Sequence, residues 1–202
     1  LQLIMNSLKN NILLFARIIL PAILCASVVF LFGSIEYFKY NSIYFIISLF
    51  GIILIILNLN KIKYNIIISL VLSLNLCFLV FFSSMAIGSG IYYFFKKIIL
   101  FFRLNITQLD NIFFNSNNIV SIAIIAPLLT LYLYSFLFKT RRSSFFYLIA
   151  FSSIVILVIL VLTKALLGNN TKMFIIWQFI VALALQLILY QKELKTLFKS
   201  KN

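Results

Sequence analysis

Long apolar runs separated by short polar ones fill this chain from one end to the other. A helix needs about 20 mostly apolar residues to cross about 30 Å of hydrocarbon. Six runs reach or approach that length: Ile12–Gly33, Ser42–Asn58, Asn65–Ile87, Ile119–Phe138, Phe145–Thr163 and Met173–Tyr190. The second is the shortest, so it stands near the membrane normal or snorkels at its ends. The runs do not alternate apolar with polar, as the strands of a membrane barrel do. Ile52–Leu57 and Ile154–Leu162 are apolar at every position. Ile and Val favour strands in water, but in lipid the backbone must bond to itself, and a helix does this within one segment. The pattern predicts a single all-α, polytopic membrane domain over residues 1–202, with six spans.

Residues 96–114 have a different texture. Ile99, Phe102, Ile106, Leu109 and Phe113 follow three–four spacing, while Arg103, Thr107, Asp110 and Asn111 fall on the other side. That arrangement predicts an amphipathic helix lying in the membrane interface. Gly88-Ser89-Gly90 precedes it and marks an expected break at the end of the third span. The same break, placed at membrane depth, is the kind of irregular backbone that some transporters use to bind substrate.

Composition sharpens the class. The chain is 64% hydrophobic, with a mean hydropathy of +1.18 and only 10% charged residues. Soluble proteins are about 45–50% apolar and about 25% charged. A soluble fold of this size could not hide the excess, so the expected solvent is the bilayer. The formal charge of +14 sits in clusters between the runs. It is read as attraction to anionic headgroups and as an orientation signal, with no nucleic-acid partner. Placing the first residues on one side gives that side ten Lys and Arg, including Lys61, Lys63, Lys139, Arg142 and Lys192, against six on the other. Both termini are therefore expected on the cytoplasmic or matrix side of a bacterial or organellar inner membrane.

The inventory of reactive groups is thin. There is no histidine, and the only acids are Glu36, Asp110 and Glu193, far apart in the chain. His-dependent nucleophile pairs, His-ligated metals and paired-carboxylate chemistry are excluded on this count. Cys25 and Cys77 lie inside apolar runs, without metal or redox spacing, and read as small hydrophobes. No nucleotide-cradling glycine motif occurs. No catalytic, cofactor-binding or metal site is expected, and no cofactor.

Intramembrane polar residues are the candidate functional positions. Arg17 sits about one and a half turns inside the first span. It either snorkels to the interface or forms an ion pair or anion site. Asn75, Gln178 and Gln186 lie within spans, the two glutamines on roughly one face of the last. Such groups glue helices together or line a polar path. Gly88 and Gly90 are the candidate break. Trp177 reads as an interfacial anchor, and Pro21 and Pro127 as kinks. Five glycines against 23 phenylalanines suggest a broad, apolar outer surface. The expected function is a non-catalytic subunit or scaffold of a larger membrane assembly, with the bilayer and another membrane protein as partners. A small permease or lipid-handling transporter is the alternative. The membrane half of an envelope enzyme ranks last, because the basic tail from Lys192 onward resembles a cytoplasmic end.

Overall fold

The computed structural model describes residues 2–33, 42–101, 119–140, 142–163 and 170–199. Helix α1 (Gln2–Gly33) is followed by α2 (Ser42–Leu57), α3 (Ile66–Phe101), α4 (Ala126–Leu137), α5 (Ser144–Leu162), α6 (Asn170–Leu189) and α7 (Gln191–Lys199). A seven-residue π-helical stretch, Ile119–Ile125, leads directly into α4. The protein is all-α. Five helices are long and apolar enough to cross a membrane, over Asn11–Phe32, Ile66–Ile98, Val120–Leu137, Ser144–Leu162 and Lys172–Leu189. The sixth apolar helix, α2, has 16 residues and is the short one, where the sequence places it.

The molecule carries large apolar side chains on its surface as well as in its core, unlike a soluble protein. Its surface carries Phe30, Ile67, Phe82, Phe94, Leu148, Phe151 and Leu162. Its interior holds hydroxyls and amides: Ser69, Ser73, Ser84, Ser121, Thr130, Ser153, Gln178 and Gln186 are all buried. Water would drive the opposite sorting. In lipid, apolar surface is at ease outside, and polar groups retreat to find partners.

Helix α6 is the core. It packs most extensively against α1 and also meets α4 and α5. The α1 side of that contact is a stripe of Ile18, Ala22, Cys25 and Val29, spaced by three and four. Ala182, Ala184 and Leu185 of α6 are buried in the same core. Alanine on both sides lets the two backbones approach. Helix α2 bridges α1 and α3, and α3 packs on α4.

One end of the bundle is tied together by its loops. The α2–α3 and α4–α5 connections pair through Lys63 N–H to Leu137 O at 2.9 Å and Lys139 N–H to Lys61 O at 2.8 Å. Asn65 caps α3, its Oδ1 accepting the Ile68 N–H at 2.8 Å. The start of α7 joins the same end through Ser143 Oγ, which donates to Gln191 Oε1 at 2.6 Å.

Two expectations need correction. Helix α3 does not break at Gly88-Ser89-Gly90; it runs through both glycines to Phe101. A helical glycine costs about 1 kcal/mol relative to alanine, whereas each backbone group left unpaired in hydrocarbon costs several. Continuing is the cheaper course. Residues 96–101 of the expected interfacial helix are thus the last turns of α3, and 102–114 lie outside the described residues. At 36 residues α3 is about 54 Å long from its rise of 1.5 Å per residue. It exceeds the hydrocarbon thickness and must tilt or project.

Gly51 of α2 sits tightly against α3 and α4. A Cβ added there would lie 2.7 Å from Ser73 Oγ, 2.9 Å from Cys77 Sγ and 3.1 Å from Tyr134 Oη. At Gly90 an added Cβ meets nothing within 4 Å. Gly51→Ala is therefore expected to destabilise the protein by about 1–3 kcal/mol through overpacking. Gly90→Ala is expected to be neutral or to stabilise by up to about 1 kcal/mol through helix propensity. Thermal unfolding of both variants in one detergent compares them directly; equal effects would remove the close-packing argument.

Candidate functional site

A cavity of about 70 Å³ lies between α2, α3, α4 and α6. Its wall is mostly aromatic and aliphatic, with Phe50, Phe81, Phe174 and Trp177. Three helices bring polar groups to it: Cys77 from α3, Thr130 and Tyr134 from α4, and Gln178 from α6.

The Tyr134 hydroxyl, fully buried, organises the α2–α3–α4 side. It lies 2.8 Å from Ser73 Oγ and 2.9 Å from Cys77 Sγ. Ser73 Oγ donates to Gly51 O at 3.0 Å. Gly51 O can only accept, so Ser73 spends its one proton there. Tyr134 must then donate to Ser73, and the network closes with the Cys77 thiol donating to the Tyr134 oxygen. Gly51 is required because its carbonyl and Cα sit directly against this cluster. Phe50, next in the chain, packs edge-on to the Tyr134 ring at 6.4 Å and against the Trp177 ring at 6.0 Å.

The α4–α6 side is organised by a proline. Pro127 lies in the first turn of α4, where its missing N–H does no harm. Upstream it does matter. In the i→i+5 register of the π-helical stretch, the donor due to Ile122 O would be residue 127, which has none. The Trp177 indole N–H takes its place, donating to Ile122 O at 2.8 Å. From the sequence, Trp177 is expected to be an interfacial anchor and Pro127 a kink. Instead the two act together, and the register changes where Pro127 withholds its donor. Short π-helical segments are frequent at functional sites, and Ile122 itself lines the cavity.

The sequence-selected residues do not converge. Gln178 lines the cavity, and its Oε1 is buried without a hydrogen-bond partner. Gln186 is sealed in the core, with both amide atoms unpartnered. Asn75 is exposed on the outer surface of α3 and donates back to Val71 O at 2.8 Å. Arg17 is exposed at the loop-tied end. Gly88 and Gly90 are interior positions of α3. Cys25 and Cys77 are buried free thiols, and Cys77 is more than the small hydrophobe expected, because its thiol bonds Tyr134 Oη. Among the described residues no three His, Cys, Asp or Glu side chains come together.

No protein family, curated protein or solved structure matches this chain. Geometry alone therefore carries the functional argument.

Sequence reasoning missed Tyr134, Ser73 and the ion pair at the loop-tied end. There the Lys61 ammonium donates to Glu193 Oε1 and lies 4.7 Å from the centroid of the Tyr190 ring. Burial alone would raise the Glu193 carboxyl. The Lys61 hydrogen bond and the Lys61 and Lys192 charges outweigh it and hold the group below its usual value. One signal was available: Glu193 is the only acid in a basic stretch.

Trp177→Phe should cost about 1–3 kcal/mol, the penalty for stranding a buried acceptor. Adding Pro127→Ala restores a backbone donor, so the double variant should lose less than Trp177→Phe alone. Additive losses in a double-mutant cycle would refute the substitution of one donor for the other. Gln186→Leu should leave stability unchanged or raise it, because two unpaired polar atoms leave the core. The Lys61–Glu193 pair should be sensitive to acid. A carboxyl depressed in the folded state contributes fully above its unfolded value, about 4.3. That contribution is lost as pH falls through the lower folded value. The stability gap between wild type and Glu193→Gln should be present at neutral pH and close in acid, as read by thermal unfolding across the pH series.

Proposed function

We propose that this protein is a non-catalytic integral membrane subunit, or scaffold, of a larger membrane assembly. The observation that supports this reading is that Asn75, Arg17 and Gln186 lie apart from the cavity and from one another, while the polar groups that do reach it are mostly bonded among themselves. A carrier of polar solutes needs such groups around one path. Here Asn75, Arg17, Gln186 and Gln178 occupy four separate environments, and three of the four do not reach the cavity. The apolar faces of α1, α3 and α5 support the same reading. Phe30 and Leu31, Tyr93 and Phe94, and Phe151 and Leu162 are all strongly exposed. Helices of this kind can meet lipid or the flat side of another membrane subunit. The basic end, with Lys61, Lys63, Lys139 and Arg142, is proposed to face the cytoplasm or matrix of an inner membrane.

A second reading, a small permease or lipid-handling transporter, has one observation in its favour: the cavity itself, apolar with a single unsatisfied amide oxygen. It suits an apolar or amphiphilic guest better than a charged solute.

The native size of the tagged protein after mild detergent extraction, with mass spectrometry of co-migrating chains, separates the two. A subunit is expected to run in a particle well above 23.4 kDa plus detergent, with partners in fixed ratio. A lone particle of one or two copies would overturn the subunit reading and leave the transporter.

A further inference from the structure

The last turn of α4 gathers two cations that arrive from different loops. Lys63, in the α2–α3 connection, donates from Nζ to Ser135 O at 3.2 Å. Arg142, in the α4–α5 connection, donates to Ser135 Oγ from Nε at 3.2 Å and from Nη2 at 3.1 Å. The ammonium and the guanidinium thus rest on two oxygens of one residue, close enough for a single phospholipid headgroup to meet both. Ser135 lies two residues inside the end of the apolar span Val120–Leu137. That is about 3 Å of axis, so both charges stand where hydrocarbon gives way to headgroups.

The protein leaves this pair of charges uncompensated. Glu193 is the only acid among the described residues, and it is bonded to Lys61. A guanidinium has five N–H donors and an ammonium three. Arg142 spends two of its donors on Ser135, and Lys63 spends one. Neither makes another hydrogen bond or an ion pair among the described residues. Nε and Nη2 form one edge of the guanidinium, so the end between Nη1 and Nη2 stays open. Such an edge can pair with two phosphate oxygens. The guanidinium is also held in position, its carbon 4.0 Å from the centroid of the Tyr132 ring and 4.6 Å from that of Phe136. Capping α4 does not require two charges, because Thr140 Oγ1 already donates to Ser135 O at 3.2 Å.

An apolar track leads away from the cations. Leu128, Tyr132 and Phe136 stand four apart on α4, and all three are exposed. They share one side of the helix and span about 12 Å of axis, most of the ~15 Å depth of one leaflet. Arg142 lies on the two rings of this track, so charge and apolar surface are continuous.

We infer that this face of α4 binds one anionic phospholipid, with its phosphate between Arg142 and Lys63 and an acyl chain along Leu128, Tyr132 and Phe136. A headgroup of the phosphatidylglycerol class fits the chemistry. Two cations would repel an ammonium, and no carboxylate among the described residues is free to receive one. The inference goes beyond the assembly proposed above and does not rest on it.

The test is native mass spectrometry of the full chain in detergent. The probes are phosphatidylglycerol, phosphatidylethanolamine and phosphatidylcholine of matched acyl chains, with glycerol 3-phosphate as the chainless probe. One retained phosphatidylglycerol is expected, preferred over either zwitterionic lipid by about tenfold, the order that one charge-assisted contact supports at an exposed site. Equal retention of the three lipids overturns the assignment. So does displacement of the lipid by glycerol 3-phosphate at matched concentration, which would mark a site for soluble phosphate. Both readings are taken on the wild type, so no variant has to fold for them to count. Arg142→Gln and Lys63→Gln should each remove most of the preference. Lys195→Gln takes one charge from α7, at the same end of the bundle, and leaves Ser135 with both cations. It should keep the preference; an equal loss there would mean diffuse attraction to the basic end, and the site would fail.

Discussion

Every polar group inside a hydrocarbon slab must find its partner within the protein, and that single requirement explains most of this structure. Backbone groups meet it by remaining helical, which is why α3 continues through two glycines. Side-chain hydroxyls meet it locally where they can: Thr130 donates to Ala126 O, Ser84 to Phe81 O and Ser153 to Ala150 O. Such bonds stitch a helix to itself and hold nothing together. Other bonds join one helix to the next, and each of these matters more. Tyr134 links α4 to α3, Ser73 links α3 to α2, and Trp177 links α6 to the stretch before α4.

The polar end works by different rules. Water is available there, so the pairing of two loops through backbone bonds contributes order more than energy. A partly exposed ion pair such as Lys61–Glu193 contributes modestly in that setting. Its value is positional. It fastens α7 to the α2–α3 connection. Arg142 is held nearby, with its guanidinium 4.0 Å from the centroid of the Tyr132 ring and bonded to Ser135 Oγ. Lys61 and Arg142 are thus individually anchored, by aromatic faces and a hydroxyl as well as by the acid.

Helix positions were legible because hydrophobic length is a one-dimensional quantity. The limits of α2, α5 and α6 and the start of α3 fall within a few residues of those read from the apolar runs. The end of α3 was not legible. Gly88 and Gly90 look like a stop signal under the propensities of water, and those propensities lose to backbone satisfaction in lipid. The site was mostly illegible for a related reason. Tyr134 and Ser73 are unremarkable within apolar runs, and they matter only because α2, α3 and α4 bring them to one point at Gly51. Asn75 and Gln186 stand out in the sequence as polar, yet polarity alone does not say which way a helix face turns. Pro127 and Trp177 were both noticed, but a missing donor and a spare one, 50 positions apart in the chain, can be matched only in three dimensions.

The bond from Trp177 to Ile122 has a mechanical consequence. It crosses between elements at a point where the backbone has no substitute donor. A slip of one residue between α4 and α6, about 1.5 Å of rise, would leave the indole and the carbonyl both stranded in a medium that offers neither a replacement. The two helices are therefore keyed against axial sliding and should travel as one rigid piece. Helix α5 is fastened differently: the hydroxyls of Ser153 and of Thr163, just past its end, bond back onto α5 itself.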